Sequence, residues 1–307
     1  MTHANEKKSI YEEITERIID SLETGVIPWA RPWEAALYGE HRNADTDRPY
    51  RGLNIMLLNL VGIMKGFVDP RWLTYRNAEK LGGHVKKGER GVGIVFWKFL
   101  PVKDRQDKDD DHVSDSEDSD RKVIPFARMY TVFNVEQCED LDLPSLEVTR
   151  DIDDSENRDA ERILSLPIMK HGGGQAYYSK AKDFIAMPVR EAFENLDFYY
   201  ATAYHEIVHW TGHPARLQRQ FGKRFGDQDY AFEELVAEIG AAFLGASTAI
   251  PFEEMRHPGY IDSWLRILKQ DNRAIFTAAA KAQTAADFVL AKAGMATETE
   301  EELPEAA

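Results

Sequence analysis

The sequence predicts an α+β protein of two domains, and three observations carry that expectation. The chain has 307 residues, enough for two modest cores. Helix-period segments and β-branched, aromatic segments recur in both halves. Between them, Glu136 to about Arg158 is acidic and contains Pro144, which suits a linker. The expected bounds are a first domain over 1–140, a linker over 141–158, a second domain over 159–294 and an acidic tail over 295–307.

Ser9-x-x-Glu12 forms a capping-box pattern ahead of Ile10, Ile14, Ile18 and Leu22, so the first helix starts there. Gly25 and Pro28 end it. Trp29 and Trp33 flank Arg31-Pro32 in a segment expected to be extended. Leu53 to Met64 is apolar nearly all round and reads as a buried helix. Thr74 can cap a short helix from Tyr75 to Leu81, ended by Gly82-Gly83. Val92 to Val102 and Val123 to Val135 read as paired strands. The stretch between them, Lys103 to Arg121, is Asp- and Ser-rich and too polar to offset its ordering entropy, so a disordered acidic insertion is expected. In the second half, Gln175 to Ser179 and Asp183 to Met187 are short strand candidates after Gly172-Gly173-Gly174. Phe198 to Gly212 and Asp229 to Gly245 read as helices, and Tyr260 to about Lys292 as one or two more.

The formal charge of −15 argues against a nucleic-acid partner only until its distribution is read. Asp104 to Asp120 and Glu298 to Glu305 hold −7 and −5 of it, and the remainder is nearly neutral. No apolar run approaches the roughly 18–20 residues of a membrane span. The opening, Met1 to Lys8, lacks the apolar core of a signal peptide. The single cysteine, Cys138, cannot form an internal disulfide and reads as a small buried hydrophobe. A reducing, cytoplasmic setting is expected, without a membrane partner.

The segment Tyr204-His205-Glu206-Ile207-Val208-His209-Trp210 contains H-E-x-x-H in a helix-compatible run. Positions i and i+4 share a helix face, so His205 and His209 can offer imidazoles to one metal ion. Glu206 is then positioned to take a proton from metal-activated water, the chemistry of a zinc hydrolase. A catalytic zinc usually takes three protein ligands. The best third candidate is Glu234, in Glu233-Glu234-Leu235-Val236-Ala237-Glu238, where Glu234 and Glu238 share a face of an apolar helix. A metal would offset the burial cost of Glu234, and a hydrogen bond to a ligand imidazole that of Glu238. Glu233 is expected on the solvated face. The alternative is that both carboxylates are exposed and the two histidines ordinary. Tyr230, His213 and His257 are candidates to stabilise an oxyanion, each with a structural alternative. The arrangement resembles zincin metallopeptidases whose third ligand is a glutamate on the following helix. By that resemblance Glu234 is the ligand, Glu238 backs an imidazole, and the cofactor is Zn²⁺.

A basic, aromatic block runs through Arg71, Trp72, Tyr75, Arg76, Lys80, Lys86, Lys87, Arg90, Trp97 and Lys98, with Arg51 as an extension. Cations suit phosphates and flat rings suit unpaired bases, so the mixture fits single-stranded nucleic acid. The alternative is a hydrophobic core with a solvated basic edge. RPYRGLN (Arg48 to Asn54), WLTYRNAEKLGGHVKKGERG (Trp72 to Gly91) and VFWK (Val95 to Lys98) resemble the amino-terminal domain of ArdC-type antirestriction proteins. YHEIVHWTGHPARL (Tyr204 to Leu217) and EELVAEIGAAFL (Glu233 to Leu244) resemble the metallopeptidase domain of the same family. The resemblance implies a non-specific single-stranded DNA-binding domain joined to a zincin domain, carried by conjugative plasmids or related elements. It also implies protection of incoming DNA from host restriction, with a protein substrate that is a candidate component of the restriction system. A DNA-coating protein with an inert zincin domain is the second reading. A metal-dependent nuclease is the third and weakest, because nucleases favour carboxylate-rich sites.

Overall fold

The first helix, α1 (Ile10–Glu23), begins with the predicted capping box. Ser9 Oγ accepts from the Glu12 amide at 3.3 Å while the Glu12 carboxylate accepts from the Ser9 amide at 2.8 Å. Its apolar stripe of Ile14, Ile18 and Leu22 is buried. The partner of that stripe lies at the far end of the chain, on α7 (Ile261–Gln270) and α8 (Ala274–Lys292). Thr15 Oγ1 donates to the Asn272 carbonyl at 2.7 Å, Lys269 pairs with Glu23 at 2.5 Å, and the Tyr11 ring meets Phe276. Trp29 packs edge-on against Trp264, their centroids 5.6 Å apart. This computed structural model describes residues 8–32, 36, 38–101, 123–147, 156–222, 228–252 and 258–295.

The rest of the first half is a four-stranded sheet in the order β1-β2-β5-β4. Its strands are β1 (Arg42–Asn43), β2 (Arg71–Leu73), β4 (Val92–Pro101) and β5 (Val123–Asn134). The last two form the predicted antiparallel hairpin, in register from Val92 opposite Val132 to Pro101 opposite Val123. The acidic insertion between them lies outside the described residues, as do Trp33 and the acidic tail. The buried helix α2 (Leu53–Lys65) lies on β4, where Asn54 bonds both the amide and the carbonyl of Val95 at 2.8 Å. A short helix, α3 (Tyr75–Lys80), is capped by Thr74 as predicted. It packs beside β3 (His84–Val85), which pairs with β6 (Cys138–Glu139).

The start of the acidic stretch belongs to the first half, since Glu136 accepts from the amides of Val68 and Asp69 at 2.7 Å. Cys138 is buried, and that burial pushes its thiol up to about 11.

The second half opens with α4 (Arg158–Leu164) and a three-stranded sheet in the order β7-β9-β8. In it β9 (Phe184–Met187) lies parallel to β7 (Met169–His171) and antiparallel to β8 (Tyr177–Ser179). Two helices, α5 (Leu196–Thr211) and α6 (Gln228–Ser247), are buried on nearly every side between this sheet and α8. At their crossing a Cβ on Gly240 would stand 2.8 Å from Val208 Cγ2, so the glycine sets how closely the two helices approach. One continuous apolar cluster runs from Ile14 and Met56 in the first half to Leu235 and Ala278 in the second. Arg51 reinforces it by pairing with Asp287, and the Gly52 amide donates to Gln283 at 2.7 Å. No helix among the described residues is long and apolar enough to cross a membrane.

Candidate metal centre

The helix α5 begins at Asn195, whose side chain caps the Phe198 amide at 2.9 Å, and it carries His205 and His209 one turn apart. The helix α6 brings Glu234 against both. His205 Nε2 lies 3.4 Å from one oxygen of Glu234 and His209 Nε2 lies 3.5 Å from the other. The two Nε2 atoms are 3.2 Å apart. Ligands about 2.0–2.1 Å from a tetrahedral ion stand roughly 3.3 Å from one another. Three buried donors at that spacing fit one divalent metal ion, and they form the only such group among the described residues. Burial alone would keep His209 neutral, but its contacts with Glu233 and Glu234 outweigh burial and raise it to about 10. Burial likewise opposes ionisation of Glu234, yet the two histidines hold its carboxyl far below the usual range. A dication would take over the charge that this cluster otherwise meets with a proton.

Behind the donors, each imidazole turns its other nitrogen to a carboxylate. His205 Nδ1 faces Glu238 at 3.9 Å and His209 Nδ1 faces Glu233 at 3.3 Å. Glu238 is on the side of His205 that the sequence reading gave it, at a separation longer than the expected hydrogen bond. The place of Glu233 corrects that reading: the residue is 4% exposed, because α6 has no solvated face at this turn. Arg219, which the sequence did not single out, donates to both Glu233 oxygens at 2.8–3.2 Å.

Glu206 lies between the two histidines in sequence and opens onto a cleft of ≈ 220 Å³ that His205, His209 and Glu234 also line. Tyr177 and Tyr178 of β8 line it, with Lys180 just beyond the strand. The strand is tied to α5 by Arg216, which bonds Asp183, reaches Tyr178 Oη at 3.2 Å and stacks on Trp210. Tyr230 and Tyr260 also line the cleft. Burial, with Glu234 nearby, raises both phenols, so each keeps its proton as a donor at neutral pH. Tyr260 was not foreseen, since a tyrosine opening an amphipathic helix gives no signal of its own. His213 does not line the cleft; its Nδ1 accepts from the Ala215 amide at 3.1 Å. His257 lies outside the described residues.

The basic block is less uniform than its composition. Trp72 is 0% exposed, with its indole donating to His41 Nδ1 at 3.0 Å, and it has no ring face to offer a base. That corrects the sequence expectation. Tyr75 is 51% exposed at the start of α3, next to exposed Arg76. Lys87 and Arg90 are exposed in the turn after β3, and Lys86 Nζ donates to the Glu136 carbonyl at 3.0 Å. Arg51, Arg71 and Lys80 are paired with Asp287, Asp69 and Asp45. Trp97 and Lys98 lie on β4, but their side chains fall outside the described ones.

Comparison with known proteins matches each half separately. Residues 8–133 match the family model described as the N-terminal domain of anti-restriction factor ArdC, and residues 161–281 that of a zincin-like metallopeptidase. The metal-free crystal structure of the antirestriction protein ArdC from plasmid R388 is 35% identical, with a TM-score of 0.76. That match covers 95% of this chain and 100% of the other. A Mn(II)-bound structure of the same protein gives a TM-score of 0.73. An uncharacterised Sinorhizobium fredii protein, y4eC, is 38% identical over 92% of both chains. Two Escherichia coli proteins called DNA primase TraC are 38% and 35% identical over 94% and 93% of this chain. The chain spans 28% and 20% of their lengths.

Proposed function

Because the chain belongs to the ArdC family of antirestriction proteins and carries its zincin-like domain, we propose that it binds single-stranded DNA and hydrolyses a protein associated with that DNA. Its effect would be to protect DNA entering a recipient bacterium, on a conjugative plasmid or related element, from restriction. The observation that supports the hydrolytic part is the convergence of His205, His209 and Glu234 beside a Glu206 that faces an open cleft. A purely structural site would not need that second carboxylate. His205, His209 and Glu234 would hold the ion, for which zinc is the reading. When bound, zinc acts as a Lewis acid toward a peptide carbonyl and lowers the pKa of water.

The protein's own groups do the rest. Glu206 takes the proton from the attacking water and returns it to the leaving amine. Tyr230, with Tyr260 beside it, donates to the oxygen on which negative charge develops. The strand β8 offers its outer edge to an extended peptide, as edge strands do. On the other half, Tyr75, Arg76, Lys86, Lys87 and Arg90 form the proposed contact with DNA.

The test is protection of incoming DNA in recipient cells by Glu206→Gln beside the native protein. Loss of protection with DNA binding intact is expected. Full protection by Glu206→Gln would instead favour a DNA-coating protein with an inert zincin domain.

A further inference from the structure

The carboxylate behind His209 is itself held from behind. Arg219 presents Nε and Nη2 to Glu233, at 3.0 Å to one oxygen and 2.8 Å to the other. Its remaining donors go to the end of α5: Nη1 to Thr211 Oγ1 at 2.7 Å and Nη2 also to the Val208 carbonyl at 2.6 Å. Arg219, Glu233 and Thr211 are all buried. Two features of the backbone allow this approach. Gln218 takes a left-handed conformation (φ 52°), which a residue of its type rarely adopts without compensation. Gly212 leaves room that a Cβ would close, at 2.8 Å from the Phe221 ring and 3.1 Å from Arg219 Nη2.

A buried arginine–glutamate pair is a poor way to gain stability, since an apolar pair of equal volume would avoid the desolvation cost. Its geometry suits orientation instead. The guanidinium leaves Glu233 one position from which to accept the His209 Nδ1 proton. With a metal ion held, the imidazole would thereby be kept in the tautomer that carries its proton on Nδ1 and leaves the Nε2 lone pair, on the side of Glu234 and His205, for the ion.

We propose that Arg219 is a positioning residue for the metal centre: acting through Glu233, it fixes the tautomer and direction of His209 and so sets the affinity for a divalent ion. The proposal rests on the zinc reading above but not on peptidase activity. It applies to the His209 branch alone, because the carboxylate behind His205 is a different one, Glu238.

The experiment is a zinc titration of the full chain against a chelating dye, for the native protein, Arg219→Gln, Glu233→Gln and the double variant. Each single change is expected to weaken zinc on the order of 10- to 100-fold. The double variant should fall within about 2-fold of the weaker single, because both changes break one chain of contacts. In the cobalt(II)-loaded protein, both single variants should shift the visible absorption bands in the same direction. Unchanged affinity in Glu233→Gln, or single losses that multiply in the double variant, would overturn the proposal. A native protein that binds no zinc would overturn the underlying metal reading instead. If Arg219→Gln does not fold, as judged by melting without metal, Arg219→Lys combined with Glu233→Gln completes the same cycle.

Discussion

At the level of single residues, chemistry was easier to read than exposure. Trp72 and Tyr75 sit three positions apart in one basic, aromatic run, yet one is sealed beside His41 and the other is exposed. Composition cannot separate them, because Trp72 lies on a three-residue strand too short to show a period. Glu233, Glu234 and Glu238 repeat the lesson. The sequence led to the cluster of donors, but a helix buried on nearly every side has no solvated face for Glu233. Arg219, the partner that makes its burial tolerable, arrives from a loop. The metal assignment gives a direct expectation: zinc near one equivalent in the native protein and in Glu206→Gln, but little in His205→Ala or Glu234→Ala. Metal analysis of the purified variants checks it, and unchanged zinc in both ligand variants would remove these residues from the site.

At the level of elements, most helices, though not α4, were legible because their ends are chemically marked. Ser9 with Glu12, and Thr74, are side-chain caps that the structure repeats. The two-residue strands β1, β3 and β6 were not, since pairing at that length is decided by tertiary contact. The crossing of α5 and α6 was also hidden, although the metal site depends on it. Gly240→Ala gains about 1 kcal/mol of helix propensity but forces a methyl against Val208, an overpacking cost of about 1–3 kcal/mol. A net loss of stability is expected in urea unfolding, with a weaker metal site because Glu234 moves with α6. Combining it with Val208→Ala should cost less than the sum of the two single changes. Strict additivity would show that the two side chains do not compete for this space.

At the level of the molecule, the two domains read from the sequence correspond to the two family models, and one apolar cluster joins them. The stripe on α1 predicts a buried face without naming its partner, and that partner is about 250 residues away, which local pattern cannot reveal. With the apolar cluster continuous across the halves, calorimetry should give one cooperative transition. Added zinc should move the whole of it to higher temperature. Two resolved transitions, only one of them responsive to metal, would contradict this.

The ion pairs of the basic block bear on how DNA binding would respond to salt. A lysine or arginine in open solvent surrenders a loosely held mobile anion when a phosphate arrives, and each strand phosphate frees condensed cations. Arg51, Arg71 and Lys80 instead carry fixed anions of their own in Asp287, Asp69 and Asp45. A phosphate must compete with a carboxylate that cannot diffuse away. The salt slope of binding should therefore count cations such as Lys87 and Arg90 and fall short of the slope that the number of basic residues suggests.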